Sequence, residues 1–162
     1  MSEPAIKIRP ELTALLLKRE DPLSWGLMPD YFARVVKFCA TYDPEENPDV
    51  LIKNIMEDFT NDQHVYCLPV ILKDNRMVGH GLFKIRVYGT KRLALLTQAA
   101  FDKGEGVEAE GINGLVESLE LWAHQNGCTA MEAWVDDQEV RERALRIFHH
   151  FQRYKIVMRK VI

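Results

Sequence analysis

Apolar residues along the chain recur at helical intervals in some stretches and at every second position in others, and the changes of period mark the elements. Ala5-Ile6-Lys7-Ile8-Arg9 alternates as a short strand closed by Pro10. Between Glu11 and Lys18 the apolar positions Leu12, Leu15 and Leu16 follow helical spacing and predict a short helix. Asp21-Pro22 and Gly26 predict a loop, and Pro29 suits the first turn of a second helix. Phe32, Val35, Val36 and Cys39 would be that helix's buried face. Asp43-Pro44-Glu45-Glu46 is a polar break. Asn47-Pro48 then places an N-cap before a proline at the first helical position, followed by Ile52, Ile55, Met56 and Phe59 at helical spacing.

At His64 the period changes. Val65 to Lys73 reads as a strand, Asp74-Asn75-Arg76 as a turn, and Met77 to Val87 as the antiparallel partner. Gly89-Thr90-Lys91 turns the chain again into a third strand, Leu93 to Phe101. Asp102 to Gly111 is predicted to be a loop rich in glycine and acid. Ile112, Leu115, Val116, Leu119, Trp122 and Ala123 trace an amphipathic helix stopped by Asn126-Gly127. Thr129 to Val135 follows as a strand, expected to lie parallel to the third one. Val140, Ala144, Ile147, Phe148 and Phe151 give a last helix, and Tyr154 to Ile162 a last strand. This order describes a single α/β (α+β) domain over residues 1–162, with a mixed, mostly antiparallel sheet flanked by helices.

Composition narrows the function classes. A length of 162 residues with 47% hydrophobic content supports one domain with a substantial core. No stretch approaches the roughly 20 apolar residues of a membrane span, and Met1-Ser2-Glu3-Pro4 has no secretory-signal pattern, so a cytoplasmic protein is expected. Cys39, Cys67 and Cys128 are three in number and widely spaced, which argues for small buried hydrophobes rather than disulfides or zinc. The net charge of −3 gives no footprint for general nucleic-acid binding, although Lys84, Arg86, Lys91 and Arg92 gather on one predicted hairpin. His149 and His150 are adjacent on a helix and face different ways, so no metal site is expected.

Three stretches carry a resemblance to a known family. Ile6-Lys7-Ile8-Arg9-Pro10 looks like its first strand, and Arg76-Met77-Val78-Gly79-His80-Gly81 like its second hairpin. Gly111-Ile112-Asn113-Gly114-Leu115-Val116, continuing to Leu121-Trp122-Ala123 and Asn126-Gly127-Cys128, looks like its acyl-CoA loop and helix. In this order the segments resemble the Gcn5-related N-acetyltransferases (GNAT), with Ala144-Leu145-Arg146-Ile147-Phe148 like the family's last helix. The resemblance implies an acyl-CoA acyltransferase fold, acetyl-CoA as cosubstrate and an amine as acceptor. It makes Leu96 to Ala100 a splayed strand, with Gln98, Ala99 and Ala100 along the thioester arm. Val107 to Gly114 would be the pyrophosphate cradle, with Val107, Gly111, Ile112, Asn113 and Gly114 as the contacting residues.

Acetylating an amine calls for a base and a polarised carbonyl. His80 on the second hairpin strand, Glu132 on the strand after the helix, and Gln98 are the catalytic candidates. Two features point to a second reading. Asp102, Glu105, Glu108 and Glu110 crowd the cradle against a lone Lys103, and Phe148 stands where a tyrosine is common in the family. On that reading the chain is an inactive GNAT-fold binding or structural protein, a component of a complex or virion. A homodimer or assembly partner is compatible with either.

Overall fold

The computed structural model of the chain describes residues 5–133. The last helix and last strand expected from the sequence, together with Trp134, Phe148 and Tyr154, lie outside the described residues. A hairpin opens the chain, with β1 (Ile6–Arg9) and β2 (Leu12–Leu16) pairing antiparallel around Pro10 and Glu11. The helix expected over 11–18 is therefore a strand. Leu12, Ala14 and Leu16 are buried on one face of β2, while Leu15 packs on the other. A strand covered on both faces loses strict alternation, and Leu12, Leu15 and Leu16 then mimic a helical stripe.

Helix α1 (Pro22–Tyr42) starts a full two turns before the predicted Pro29. Asp21 caps it, its carboxylate accepting from the Leu23 N–H, and Pro22 occupies the first turn. Gly26, expected in a loop, and Pro29 both lie inside the helix at exposed positions. The buried stripe is Met28, Tyr31, Val35 and Cys39, with Val36 left exposed. Helix α2 (Pro48–Asn61) begins as predicted, with Asn47 accepting from the Asp49 and Val50 N–H groups. At its far end the buried carboxylate of Asp58 accepts from the Val65 and Tyr66 N–H groups, which anchors the turn into the next strand.

The predicted strand 65–73 is divided at Leu68 into β3 (Tyr66–Cys67) and β4 (Pro69–Lys73). β5 (Arg76–Tyr88) and β6 (Lys91–Phe101) complete the meander. Asp74 and Asn75 both have positive φ, the geometry a tight two-residue hairpin needs. Helix α3 (Glu108–Gln125) crosses over to β7 (Ala130–Ala133), which pairs parallel with β6. The loop predicted to run to Gly111 ends at Val107. The sheet order is β1-β2-β4-β5-β6-β7, with β3 joined to β5. Leu12, Ile71, Val78, Phe83, Ala94, Leu115, Leu119 and Trp122 form the core between the sheet and α3. Val70, Leu72, Met77 and Leu82 meet α1 and α2 on the opposite face through Met28, Tyr31, Val35 and Ile55. Among the described residues no helix is long and apolar enough to cross a membrane.

Candidate functional site

The register of the β5–β6 pair brings two of the predicted residues together. His80 lies opposite Ala100 and Gln98 opposite Leu82, so both side chains stand two positions apart on the face covered by α1. His80 Nε2 is 3.0 Å from Gln98 Oε1, and Gln98 Nε2 donates to Cys39 Sγ at 3.5 Å. With the Gln98 amide turned this way, its oxygen accepts from His80 Nε2–H and the Nδ1 lone pair is left over. That nitrogen is buried and has no partner among the described residues. The ring is 1% exposed, edge-on to Tyr31 at 5.6 Å and Phe38 at 6.2 Å.

Burial pushes the His80 pKa down to about 4, and the nearby Arg34 charge lowers it further against the opposing pull of the Gln98 bond and Asp102. The imidazole is neutral at pH 7, and a group of such low basicity takes a proton from an ammonium poorly. Its hydrogen-bond contact in this geometry is to Gln98. Tyr31 supports the pair from α1, its hydroxyl donating to the Gly81 carbonyl at 2.7 Å in a fully buried position. Tyr31→Phe is expected to cost about 1 kcal/mol in urea-melt stability. Burial also raises the Cys39 thiol, with the Glu46 carboxylate adding to the effect, so Cys39 stays protonated as an acceptor for Gln98.

Glu132 stands farther along the sheet from His80. Met131 packs into the core on the α3 side, so alternation puts Glu132 on the sheet face that carries His80 and Gln98. Its partner on β6 is Leu95, however, while that of His80 is Ala100. Those positions are five residues apart with a bulge between them, roughly 13 Å along a strand. Between them β6 carries a bulge at Thr97, since Gln98 pairs with Leu82 and Leu96 with Phe83. The Thr97 hydroxyl donates to the Leu82 carbonyl at 3.0 Å.

The predicted cradle divides into a loop and a helix. Gly111 donates its N–H to the Val107 carbonyl, so residues 108 to 114 are already helical. Gly111, Ile112 and Gly114 turn toward the sheet as packing residues. A Cβ on Gly111 would lie 2.5 Å from the Phe101 ring, and one on Gly114 2.5 Å from Ile8. Asn113 is exposed, and Val107 is buried in the core. The open donors sit one turn earlier. Asp21 and Asn47 cap α1 and α2, whereas Val107 gives α3 no side-chain cap. The N–H groups of Ala109 and Glu110 in the first turn therefore have no acceptor within the helix itself.

Asp102, Glu105 and Glu110, acids that crowd this loop, are held by cations from other elements. Arg34 of α1 forks onto Asp102 at 2.9 and 3.0 Å and also donates to the Met77 carbonyl. Lys73 and Arg76, flanking the β4–β5 turn, grip Glu105 at 3.1 and 2.7 Å. Arg9 of β1 reaches Glu110 at 3.3 Å. Sequence reading missed all four cations because each is distant in the chain from its acid. A faint signal existed in Arg34, a charge one helical turn from Tyr31, and in the cations bracketing Asp74-Asn75. Among the described residues no group of three or more His, Cys, Asp or Glu is placed to hold a metal ion.

No protein-family model and no curated protein matches this sequence. Solved structures do match its shape. An aminoglycoside acetyltransferase from an uncultured soil metagenomic sample, in complex with trehalose, superposes with a TM-score of 0.62 at 17% identity, covering 96% of this chain and 99% of the other. An aminoglycoside antibiotic 6'-N-acetyltransferase from Acinetobacter baumannii gives 0.61 at 21% identity over 93% and 99%. A glucosamine-6-phosphate N-acetyltransferase from Arabidopsis thaliana gives 0.61 at 12% identity over 93% and 97%. At such low identities the shared property is architecture: a mixed sheet with one late parallel crossover through α3, and helices on both faces. The chain has the fold of the Gcn5-related N-acetyltransferases, in a sequence far diverged from these structures.

Proposed function

We propose that this chain is an acyltransferase passing an acetyl group from acetyl-CoA to an amine. The observation that carries the reading is the uncapped N-terminus of α3 at the carboxyl end of β6, within a β6–α3–β7 crossover. Ligands in parallel βαβ units bind outside the carboxyl ends of the strands, and an open helix N-terminus offers N–H donors and a positive dipole end to phosphate. The N–H groups of Ala109 and Glu110 would take the pyrophosphate, with the buried Val107 fixing the helix end and Asn113 exposed farther along α3. Ala99 and Ala100 are small and half-buried, which suits backbone approach by a pantetheine arm. Gln98, held from both sides by His80 and Cys39, is the fixed polar group beside that arm.

The amine nitrogen attacks the thioester carbonyl, the carbon–sulfur bond breaks, and the amine's surplus proton is released while the CoA thiolate is protonated. Neighbours named for acetylating an aminoglycoside and glucosamine-6-phosphate support an amine acceptor. The pairing of Asp102, Glu105 and Glu110 with arginine and lysine also lessens the repulsion that the loop's acids would exert on phosphate.

Calorimetric titration with acetyl-CoA, backed by thermal melts, tests this. Micromolar binding is expected, with about 2.7 kcal/mol of stabilisation at a hundredfold excess over Kd. Absence of binding up to millimolar acetyl-CoA would remove the activity and leave the second reading, a GNAT-fold scaffold that binds other partners.

A further inference from the structure

We propose that Glu105 is a positioning residue whose carboxylate, gripped by Lys73 and Arg76, latches the β6–α3 loop onto the β4–β5 hairpin and so sets the α3 N-terminus for acyl-CoA. The inference rests on the acyl-CoA reading above. The loop is anchored at both ends. Asp102 donates its N–H to the Val78 carbonyl and holds Arg34, and Val107 is buried in the core. Between these anchors stand Gly104 and Gly106, at φ of 84° and 65°. A Cβ at either would meet nothing within 4 Å, so neither glycine position is packed against a neighbouring element. Glycines of positive φ also leave the backbone a wide choice of conformations.

Glu105 lies between those two glycines and supplies the tether. Arg76 donates to its Oε1 at 2.7 Å and Lys73 to its Oε2 at 3.1 Å, while Lys73 also reaches the Glu105 carbonyl at 3.4 Å. One lysine thus holds both main chain and side chain of the same residue. The two bonds keep the Glu105 carboxyl below the usual carboxylate range, Arg76 contributing most, so the tether is charged throughout the neutral range.

The latch and simple electrostatics predict opposite signs. If Glu105 merely repels phosphate, neutralising it tightens acetyl-CoA binding. As a latch, its loss frees the loop, and binding must then also order it. The experiment compares Glu105→Gln with the double variant Lys73→Met/Arg76→Met, using amide hydrogen exchange of residues 103–107 in the free protein and calorimetric titration with acetyl-CoA. Both variants are expected to speed exchange in that segment and to weaken binding about three- to fivefold, with the triple variant no worse than either. Thermal melts verify that each is folded.

Tighter binding in Glu105→Gln with weaker binding in the double variant would overturn the proposal, making Glu105 a repelling group and the two cations direct phosphate ligands. Unchanged exchange in Glu105→Gln, with acetyl-CoA still bound, removes the latch and leaves the acyl-CoA reading intact. A wild-type protein that takes up no acetyl-CoA removes that reading instead, and the ligand half of this proposal with it.

Discussion

Gly111→Val is expected to destabilise the fold by about 2–3 kcal/mol, with much of the loss recovered when Phe101 is shortened to Ala in the same chain. The Phe101 ring fills a slot between two elements. A Cβ built on Gly111 of α3 would lie 2.5 Å from ring atom Cε1, and one built on Gly79 of β5 would lie 2.5 Å from Cδ1. A ring pressed from the helix side would be driven toward Gly79, where the Ala100 carbonyl also stands 3.3 Å from the same Cβ position. Valine gains slightly over glycine in helix propensity, by a few tenths of a kcal/mol, too little to offset the overlap.

Urea melts of Gly111→Val, Phe101→Ala and the double variant form the cycle. A coupling of at least about 1 kcal/mol in the rescuing direction is expected. Additive losses would show that the ring is not wedged between the glycines. Acetyl-CoA titration of the double variant adds a functional reading. If Gly111 serves packing, affinity returns together with stability. Recovered stability without recovered affinity would mean that the ligand needs the bare backbone at 111.

The second large effect is a fall in stability on acidification that traces to His80. Its ordinary pKa is 6.5 and burial holds it at about 4 in the fold. Above pH 6.5 the ring is neutral whether the chain is folded or unfolded, and pH has no leverage through it. Below 6.5 the unfolded chain takes up a proton that the folded one refuses until about pH 4, so acid favours unfolding. The loss amounts to about 3 kcal/mol and is nearly complete at pH 4.

Glu105 acts only at the acid end of this window and below it. Its carboxyl is depressed from 4.5, so the stability it confers is present above 4.5 and lost as pH falls through its lower folded value. Urea melts between pH 7 and 4.5 therefore isolate the histidine. The wild type is expected to weaken steadily across that range and His80→Gln to stay nearly flat. Equal slopes in the two proteins would show that His80 opens to water before it titrates.

The structure sets His80 in a buried, neutral contact with Gln98. Pattern placed His80 on the correct strand, and Asp74-Asn75 signalled the hairpin that carries it. Strand order does not disclose register. The 3.0 Å contact to Gln98 arises because His80 pairs with Ala100 while Gln98 pairs with Leu82, an offset set by two paired strands and a bulge. Tyr31 and Phe38, which exclude water from the ring, come from a helix some fifty residues earlier in the chain. Burial by a distant element leaves no local mark on the histidine's own neighbourhood in sequence.

Where a segment meets one partner with one face, its period was legible. The stripe of α3, the cap and proline that start α2, and the parallel β6–β7 pair after a crossover all follow from residue spacing and short-range sterics. Local signals misled where tertiary contacts covered both sides or supplied the missing partner. β2 reads as a helix because the core claims both its faces. That Gly111 and Gly114 also pack against Phe101 and Ile8 is visible only in the fold. The loop acids read as repulsion until Arg34, Lys73, Arg76 and Arg9 arrive from four other elements. Periodicity and capping act over a few residues and are written in order along the chain. Packing distance, burial and ion pairing join residues up to a hundred positions apart, and exist once the sheet has brought them together.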